Sequence, residues 1–244
     1  MTNTSCRVAI WNIAWKRLKS RAGAKLRARI DDQSADLVCI TEGHEDFLPR
    51  DGHIVSSNPD YGYPVMPGRR KVLLWSNEPW DDVDPIGHAS LPPGRFISAR
   101  THTAIGPVRV IGVCIPWSGA HVSTGRRDRR RWEDHRAYIE GLHRVLLERT
   151  ANIPTIMVGD FNQTVPRTRA PKAAHRALME ALEGSLEIAT SGIIPEVERQ
   201  AIDHLAHSGD LVAHAIRGLS NLDANGRQLS DHFGVAVDLR RAGS

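Results

Sequence analysis

The sequence contains a set of short apolar runs, each of which ends in an acidic or amide side chain, and this pattern limits the folds that the chain can adopt. In residues 155–164, TIMVGDFNQT, an apolar run favours a strand interior, and Asp160 and Asn162 follow where the strand should end. Successive side chains of a strand point to opposite faces, so residues two apart share a face. We therefore predict that Asp160 and Asn162 project together from the end of a buried strand and form part of a site.

The same placement recurs along the chain. Asn12 follows VAIW, Glu42 follows LVCIT, and the motifs AIDHL and LSDHFGV carry Asp203 and the pair Asp231 and His232. Oxygen ligands at strand ends are what Mg²⁺ needs, since it takes few carboxylates and keeps water and phosphate oxygens in its other positions. An aspartate paired with a histidine is suited to proton transfer at neutral pH. Each motif alone also fits a turn or a cap, but the whole set predicts one catalytic site.

The pattern of elements predicts an α/β fold. CRVAIWNI, SRAGAKLRARIDDQ and ADLVCITE form a strand, helix, strand unit, and the short β signals YPVM, RKVLLWS, RFISARTH and VRVIGVCIP follow. RWEDHRAYIEGLHRVLLER and PKAAHRALMEALEG have helical spacing, while PTIMVGDFN, LVAHAI and HFGVAVDL are strands. These strands are too many for one flat sheet, so we expect two packed sheets with helices outside. The 244 residues contain no composition break or linker, which favours a single domain over residues 1–244.

The composition indicates where the protein resides more than what it does. The net charge of +4 suits a polyanionic ligand without requiring one. Cys6, Cys39 and Cys114 form an odd set without CxxC spacing, which predicts reduced, buried thiols in a cytoplasmic protein. The opening residues lack a signal-peptide pattern, and no apolar run reaches the roughly 18 residues of a membrane span. We therefore expect a cytoplasmic protein that does not associate with membranes.

The order of the motifs WNIAW, ADLVCITE, CIPW, GDFN, IDHL and SDHFGV resembles the endonuclease/exonuclease/phosphatase superfamily, which includes exonuclease III, DNase I, sphingomyelinases and inositol polyphosphate 5-phosphatases. The combination of GDFN with a C-terminal SDH is specific, whereas WN or TE alone is weak. The resemblance implies a DNase I-like four-layer α/β sandwich, in which helices flank two packed mixed β-sheets. It places the site at one edge of those sheets.

The resemblance also implies a role for each motif residue. Glu42 would bind Mg²⁺, for which Mn²⁺ is a substitute, with Asn12 beside it and Asp231 close to both metal and phosphate.

Catalysis itself is implied for four other residues. Asp160 and Asn162 would orient and activate the attacking water, and Asp203 would support His232, which would contact the phosphate and stabilise its developing charge.

Three departures from the family pattern limit what is carried over. Cys114 stands where the family usually has a Tyr or His that contacts the scissile phosphate, so His121, Arg126 or Arg127 from the following loop is expected to take over that contact. Ala14 stands where an acidic residue often occurs, which leaves any second metal position in doubt. The segment between GDFN and IDHL lacks the aromatic-rich stretch of abasic-site endonucleases, so we do not predict abasic-site repair.

An arginine-rich segment at the start of a predicted helix offers a surface for substrate. Guanidinium groups pair with phosphates, and a solvated basic segment is an equally good interpretation. The segment contains Arg126, Arg127, Arg129, Arg130 and Arg131. Trp117 lies just before it and could stack on a base. We assign Arg126, Arg127 and Trp117 to substrate binding.

The sequence thus predicts a Mg²⁺-dependent phosphoesterase, with a nuclease acting on DNA or RNA as the leading interpretation. Its partner would be the nucleic acid substrate, the working expectation is a monomer, and no protein partner is predicted. A phosphatase or phosphodiesterase of a small or lipid-derived phosphate ester is the second interpretation. The third is a catalytically degenerate nucleic-acid-binding module, in which Cys114 and Ala14 would mark lost activity.

Overall fold

Two six-stranded β-sheets pack face to face in the computed structural model, which describes residues 4–149 and 153–243. In chain order the strands are β1 (Cys6–Asn12), β2 (Leu37–His44), β3 (His53–Ser56), β4 (Arg69–Ser76), β5 (Asp81–Asp84), β6 (Phe96–Thr103), β7 (Gly106–Cys114), β8 (Thr155–Asp160), β9 (Glu187–Ile188), β10 (Ile193–Ile194), β11 (Arg199–Gln200), β12 (Asp203–His207), β13 (Leu211–Leu219) and β14 (Gly234–Arg241). The helices of the described residues are α1 (Arg21–Asp31), α2 (Glu133–Arg149) and α3 (Lys172–Leu182).

Both sheets are mixed. The first sheet has the strand order β13-β14-β1-β2-β4-β3, the second has β5-β6-β7-β8-β12-β9, and β10 and β11 form a separate hairpin. The pairs β1–β2 and β7–β8 are parallel, and the other pairs of the two sheets are antiparallel. Each parallel pair is joined across a helix, α1 or α2, as the sequence pattern of the first unit predicts.

Three apolar clusters divide the molecule into four layers, which confirms the predicted sandwich. The cluster between the sheets includes Val8 of β1 and Val158 of β8. A second cluster packs Leu26 of α1 on the outer face of the first sheet. The third packs α2 and α3 on the second sheet, with Tyr138 and Leu178 fully buried. Each fully buried large side chain contributes about 1.5–3 kcal/mol, so these interfaces hold the layers in place.

Some predicted elements differ in the structure. YPVM forms no strand, because Pro64 removes a backbone donor and Val65 and Met66 project into solvent instead of pairing with a sheet. The strands β3 and β5 lack the alternating pattern because they are largely exposed edge strands. The arginine-rich segment was predicted at the start of a helix, but α2 begins at Glu133, after the last of these arginines.

A close approach of two backbones fixes the end of β8. Gly159 has φ +132°, and a Cβ atom there would lie 2.0 Å from the carbonyl oxygen of Val113. Glycine is therefore required for β8 to run beside β7 at the point where Asp160 leaves the sheet.

The prediction of buried thiols that form no disulfide is confirmed for Cys6, Cys39 and Cys114. In the described part of the chain, no helix combines the length and the apolar character that crossing a membrane requires.

Candidate active site

Side chains from both sheets meet at one edge of the sandwich. Asn12 ends β1 in the first sheet, while Asp160 ends β8 and Asp203 begins β12 in the second. Asp203 and Asp160 are direct partners in the antiparallel register of β12 and β8. His232 lies in the loop just before β14, the neighbour of β1. Four positions that are far apart in sequence thus converge.

Asp160 is the most heavily hydrogen-bonded of these groups. Its Oδ1 accepts the backbone N–H of Asn162 at 2.8 Å, and its Oδ2 accepts Nδ2 of Asn12 at 3.0 Å and Nδ2 of Asn162 at 2.9 Å. These bonds fix the carboxylate between the two sheets.

Asn162 reaches Asp160 by a route other than the one predicted. The strand β8 ends at Asp160, and Asn162 adopts a left-handed conformation with φ +53°, so strand periodicity does not align the two side chains. The turn brings them together, and Nδ2 of Asn162 also donates to the carbonyl of Ile115 at 2.8 Å. With its amide nitrogen engaged in this way, the carboxamide of Asn162 keeps Oδ1 available for a bound water.

Asp203 and His232 form the predicted carboxylate–imidazole pair. Nδ1 of His232 donates to Oδ2 of Asp203 at 3.0 Å. Burial alone would lower the pKa of His232, but the carboxylates of Asp203 and Asp160 raise it to about 10. The ring is therefore an imidazolium at neutral pH, with Nε2–H as its second donor.

The pKa of Asp160 shifts in the direction that suits a proton acceptor. Burial raises it above the ordinary value, the carboxylates of Asp203 and Glu42 raise it further, and the cation of His232 opposes them. A carboxyl group with a raised pKa is a stronger base than a surface aspartate once it is ionised.

Glu42 contributes a carboxylate from the first sheet, in β2. It has φ +50°, and its Oε1 accepts Nζ of Lys71 in β4 at 2.6 Å. Its charge is one of those that raise the pKa of Asp160, which places the two carboxylates within electrostatic reach.

Asp231 lies at the solvent side of this cluster. It is exposed, and its Oδ1 accepts the hydroxyl of Ser230 at 3.4 Å. Ser230 also donates to the carbonyl of Asn12 at 2.7 Å and accepts the backbone N–H of His232 at 3.3 Å. Ser230 thus ties the SDH loop to the end of β1, a role that the sequence did not indicate.

The donor set fits a hard divalent cation. Ligand atoms of Asp160, Asp203 and His232 lie within 4.8 Å of one another, and because the His232 imidazolium has no free lone pair, the two carboxylates are the members of this group that could face a cation. Oδ1 of Asp203 is buried and has no hydrogen-bond partner within residues 4–149 and 153–243. Buried carboxylate oxygens are normally paired, so this atom is suited to a cation or its bound water. Nearby Asn12 and Glu42 add amide and carboxylate oxygens of the kind that Mg²⁺ prefers.

Cys114 cannot contact a phosphate. It is the last residue of β7 and is 1% exposed, and burial raises the pKa of its thiol to about 12. Of the residues expected to replace it, His121 is buried and stacks on Tyr63 at 4.4 Å. Burial lowers the pKa of His121, which leaves its ring neutral at pH 7. Arg126 is exposed and forms an ion pair with Asp128 at 3.3 Å.

The buried cation beside Cys114 is Arg95, which the sequence did not single out. Arg95 is 3% exposed, and its Nη1 donates to the carbonyl of Cys114 at 3.4 Å. No carboxylate of the described residues forms an ion pair with it, although a buried charge is normally paired. Arg95 lines a cavity of about 390 Å³ together with Tyr61, His121 and Arg126. Glu133 and Asp134 also line this cavity, so its wall carries both signs of charge and Arg95 is its buried cation.

The other predicted substrate-binding residues lie on the surface after β7. Arg127 is exposed with φ +59°, and Trp117 is 45% exposed. No hydrogen bond joins either side chain to the carboxylate cluster within the described residues. Trp11, by contrast, is a buried core residue whose Nε1 donates to the carbonyl of His232 at 3.0 Å.

Comparison with known proteins gives a family match over most of the chain. The sequence model of the Endonuclease/Exonuclease/phosphatase family matches residues 9–232. Among curated proteins, no relative matches.

Solved structures share the fold at low sequence identity. An endonuclease/exonuclease/phosphatase from Beutenbergia cavernae is 19% identical with a TM-score of 0.67, and the alignment covers 98% of this chain and 72% of that one. An AP endonuclease from Archaeoglobus fulgidus is 18% identical with a TM-score of 0.69, covering 95% and 98%. The 3′ phosphatase NExo from Neisseria, solved with a product DNA hairpin, is 15% identical with a TM-score of 0.69, covering 95% and 98%.

Proposed function

Because the chain belongs to the Endonuclease/Exonuclease/phosphatase family, we propose that it is a Mg²⁺-dependent nuclease that hydrolyses phosphodiester bonds of DNA or RNA. The family comprises phosphoesterases, and the nuclease is the finer assignment. The observation that carries it is the hydrogen-bonded set of Asp160, Asn162, Asp203 and His232 at the junction of the two sheets. A protein that only binds nucleic acid has no use for this complete set, which argues against a degenerate module.

Asp160 is the proposed general base. It takes the proton of the attacking water, which Oδ1 of Asn162 orients by accepting a hydrogen bond from it. The hydrogen bonds from Asn12 and Asn162 fix the direction of the Asp160 carboxylate. Positioned proton transfer of this kind contributes typically 10²- to 10⁴-fold to the rate.

His232 is the proposed electrostatic contact to the phosphate. Its Nδ1 is held by Asp203, so Nε2–H is the donor that points to a non-bridging oxygen. The raised pKa keeps the ring cationic while negative charge develops on the phosphate. Asp203 therefore acts through His232, as a positioning residue.

Glu42, Asn12 and Asp231 are the proposed metal ligands. A divalent ion bound there would supply charge neutralisation for a phosphodiester that otherwise repels its nucleophile. The three side chains would offer one amide and two carboxylate groups, with Mg²⁺ as the preferred ion and Mn²⁺ as a substitute.

Substrate binding is proposed for the basic surface after β7. Arg95 and Arg126 line the cavity and Arg127 lies on the exposed loop beside it, so the three guanidinium groups offer donors to phosphate groups of the substrate. Trp117 offers an exposed ring on which a base could stack.

A second candidate function is hydrolysis of a small phosphate ester. The observation that favours it is Arg95, a buried guanidinium without a carboxylate ion pair among the described residues, in a cavity of about 390 Å³ that has room for one compact phosphate group.

The test is hydrolysis of labelled single-stranded DNA, duplex DNA, RNA and bis-p-nitrophenyl phosphate in Mg²⁺, Mn²⁺ or EDTA. The wild type is compared with His232→Ala and with the control His102→Ala, which changes an exposed histidine at the far end of β6. Metal-dependent cleavage of a polymer supports the nuclease if His232→Ala abolishes it and His102→Ala does not. Cleavage of the small diester alone supports the second candidate, and no cleavage of any ester contradicts both.

A further inference from the structure

The ammonium group of Lys71 contacts the carboxylate of Glu42, which is a proposed metal ligand. The register of β2 and β4 pairs Thr41 with Val72 and Gly43 with Arg70, so Lys71 stands beside Glu42 across the strand pair. Nζ of Lys71 donates to Oε1 of Glu42 at 2.6 Å. Neighbouring side chains on two paired strands interact directly, so the contact is built into the sheet.

Lys71 is buried, and the side chains around it compensate for the burial of its charge. The residue is 6% exposed, and Nζ lies 5.2 Å from the ring centres of both Trp15 and Tyr61. Burying an ammonium group is costly unless it is paired, and the aromatic faces and Glu42 provide that compensation. Lys71 is the only buried charged residue of β4, where it is followed by the apolar core residues 72–75, so its burial has a reason beyond packing.

The position of Lys71 relates to one departure from the family pattern. Cys114 stands where the family resemblance leads us to expect a Tyr or His that contacts the phosphate. The charge of Lys71 acts on Cys114, whose pKa burial raises while Lys71 opposes that rise. The ammonium therefore lies within electrostatic reach of the position at which the phosphate contact is missing.

We propose that Lys71 is a resident cation of the active site, which shares Glu42 with the divalent metal and donates to a phosphate oxygen of the substrate. The inference rests on the proposed function. An ammonium group has three N–H donors, and the bond to Glu42 uses one of them. The remaining donors are available to the phosphate, while the second oxygen of the Glu42 carboxylate is available to the metal.

This arrangement predicts opposite effects on metal binding and on turnover. The ammonium and a divalent cation on the same carboxylate repel each other, so removing the lysine charge strengthens metal binding by at least about tenfold, which is the effect of charges about 6 Å apart even in water. The same removal takes a cation away from the developing phosphate charge, which lowers kcat on the order of 10²-fold. A lysine that only orients Glu42 gives weaker metal binding instead.

The test compares Lys71→Met, which keeps the length of the side chain without its charge, with the matched control Arg70→Met. Arg70 is the neighbour of Lys71 in β4 and forms an ion pair with Glu45 of the loop after β2 at 2.7 Å. Binding of Mn²⁺ to each metal-free protein is measured from the electron paramagnetic resonance signal of free Mn²⁺, and turnover is measured separately. We expect tighter Mn²⁺ binding and slower turnover for Lys71→Met, with both quantities unchanged for Arg70→Met.

Two further variants of Lys71 separate the effect of its charge from an effect on folding. If Lys71→Met does not fold, Lys71→Gln supplies a neutral polar side chain with the same expected effects. Lys71→Arg keeps the charge and should leave Mn²⁺ affinity within about threefold of the wild type.

Mn²⁺ binding that is weaker or unchanged in the neutral variants overturns the sharing of Glu42. Unchanged turnover overturns the phosphate contact. A wild type that hydrolyses no phosphate ester refutes the proposed function and the phosphate contact with it, whereas the Mn²⁺ comparison still decides whether Lys71 shares the carboxylate.

Discussion

Asp203→Asn should lower the pKa of His232 by about three units. Nδ1 of His232 and Oδ2 of Asp203 lie 3.0 Å apart, and Asp203 is the leading carboxylate that raises the pKa of His232 to about 10 against the effect of burial. Opposite charges centred about 4 Å apart interact by about 4 kcal/mol at an effective dielectric of about 20. Since about 1.4 kcal/mol corresponds to one pKa unit, the loss of this charge moves the pKa to about 7.

The assay is an NMR titration of the His232 ring in metal-free protein, with its signals identified by their loss in His232→Ala. Because the imidazolium is the form that contacts the phosphate, activity is lost as the pH rises through the pKa of His232. The basic limb of the pH–rate profile therefore moves to lower pH in Asp203→Asn, and turnover at pH 8 falls at least tenfold.

The control is Asp238→Asn, which removes a buried carboxylate of β14 that pairs with Arg7 at 2.6 Å and has no contact with His232. Its His232 should titrate as in the wild type. A His232 pKa that Asp203→Asn leaves unchanged would refute the reasoning, because it would mean that Asp203 does not support the cation.

Three other predictions concern stability and binding. Gly159→Ala should lower the free energy of unfolding by at least about 3 kcal/mol in urea, because its Cβ would lie 2.0 Å from the carbonyl oxygen of Val113. Burial alone raises the pKa of Asp238, but two arginines lower it, so its carboxylate stabilises the fold above about pH 4 and that contribution is lost as the pH falls. Asp238→Asn should therefore cost about 2 kcal/mol at pH 7 and progressively less as the pH falls below about 4, measured by denaturation at a series of pH values. Joint replacement of Arg126 and Arg127 by Ala should reduce the salt dependence of nucleic acid binding in EDTA, by about two in log–log slope.

Local sequence patterns predicted the strand ends well. Asn12 and Asp160 each follow a run of apolar residues, and Nδ2 of Asn12 lies 3.0 Å from Oδ2 of Asp160 at the junction of the two sheets. Strand periodicity was the wrong reason for the contact of Asn162 with Asp160, because a left-handed turn after β8 brings the amide back. Turn conformation depends on neighbours such as Ile115, which a single run of residues does not reveal.

Long-range register is what the sequence could not predict. Lys71 meets Glu42 only because β4 pairs with β2 in one particular register, and their positions are separated by 28 intervening residues of loops and strand. Arg95 likewise precedes an ordinary strand, and only the assembled cavity shows that its charge is buried without a carboxylate partner among the described residues. In both cases the sequence shows only a charged residue next to apolar strand residues. Many surface residues show the same pattern, so it does not identify a buried charge.

Cleavage of an end-labelled oligonucleotide panel of single-stranded DNA, duplex DNA and RNA by the wild type and by Asp160→Asn tests whether the protein is a metal-dependent phosphodiesterase. Each protein is assayed in EDTA and again after excess Mg²⁺ is added. We predict no cleavage in EDTA, cleavage by the wild type when Mg²⁺ is restored, and a loss on the order of 10²- to 10⁴-fold in Asp160→Asn. Cleavage that persists in EDTA, or that Asp160→Asn carries out at the wild-type rate, would contradict a metal-dependent phosphodiesterase built on this carboxylate.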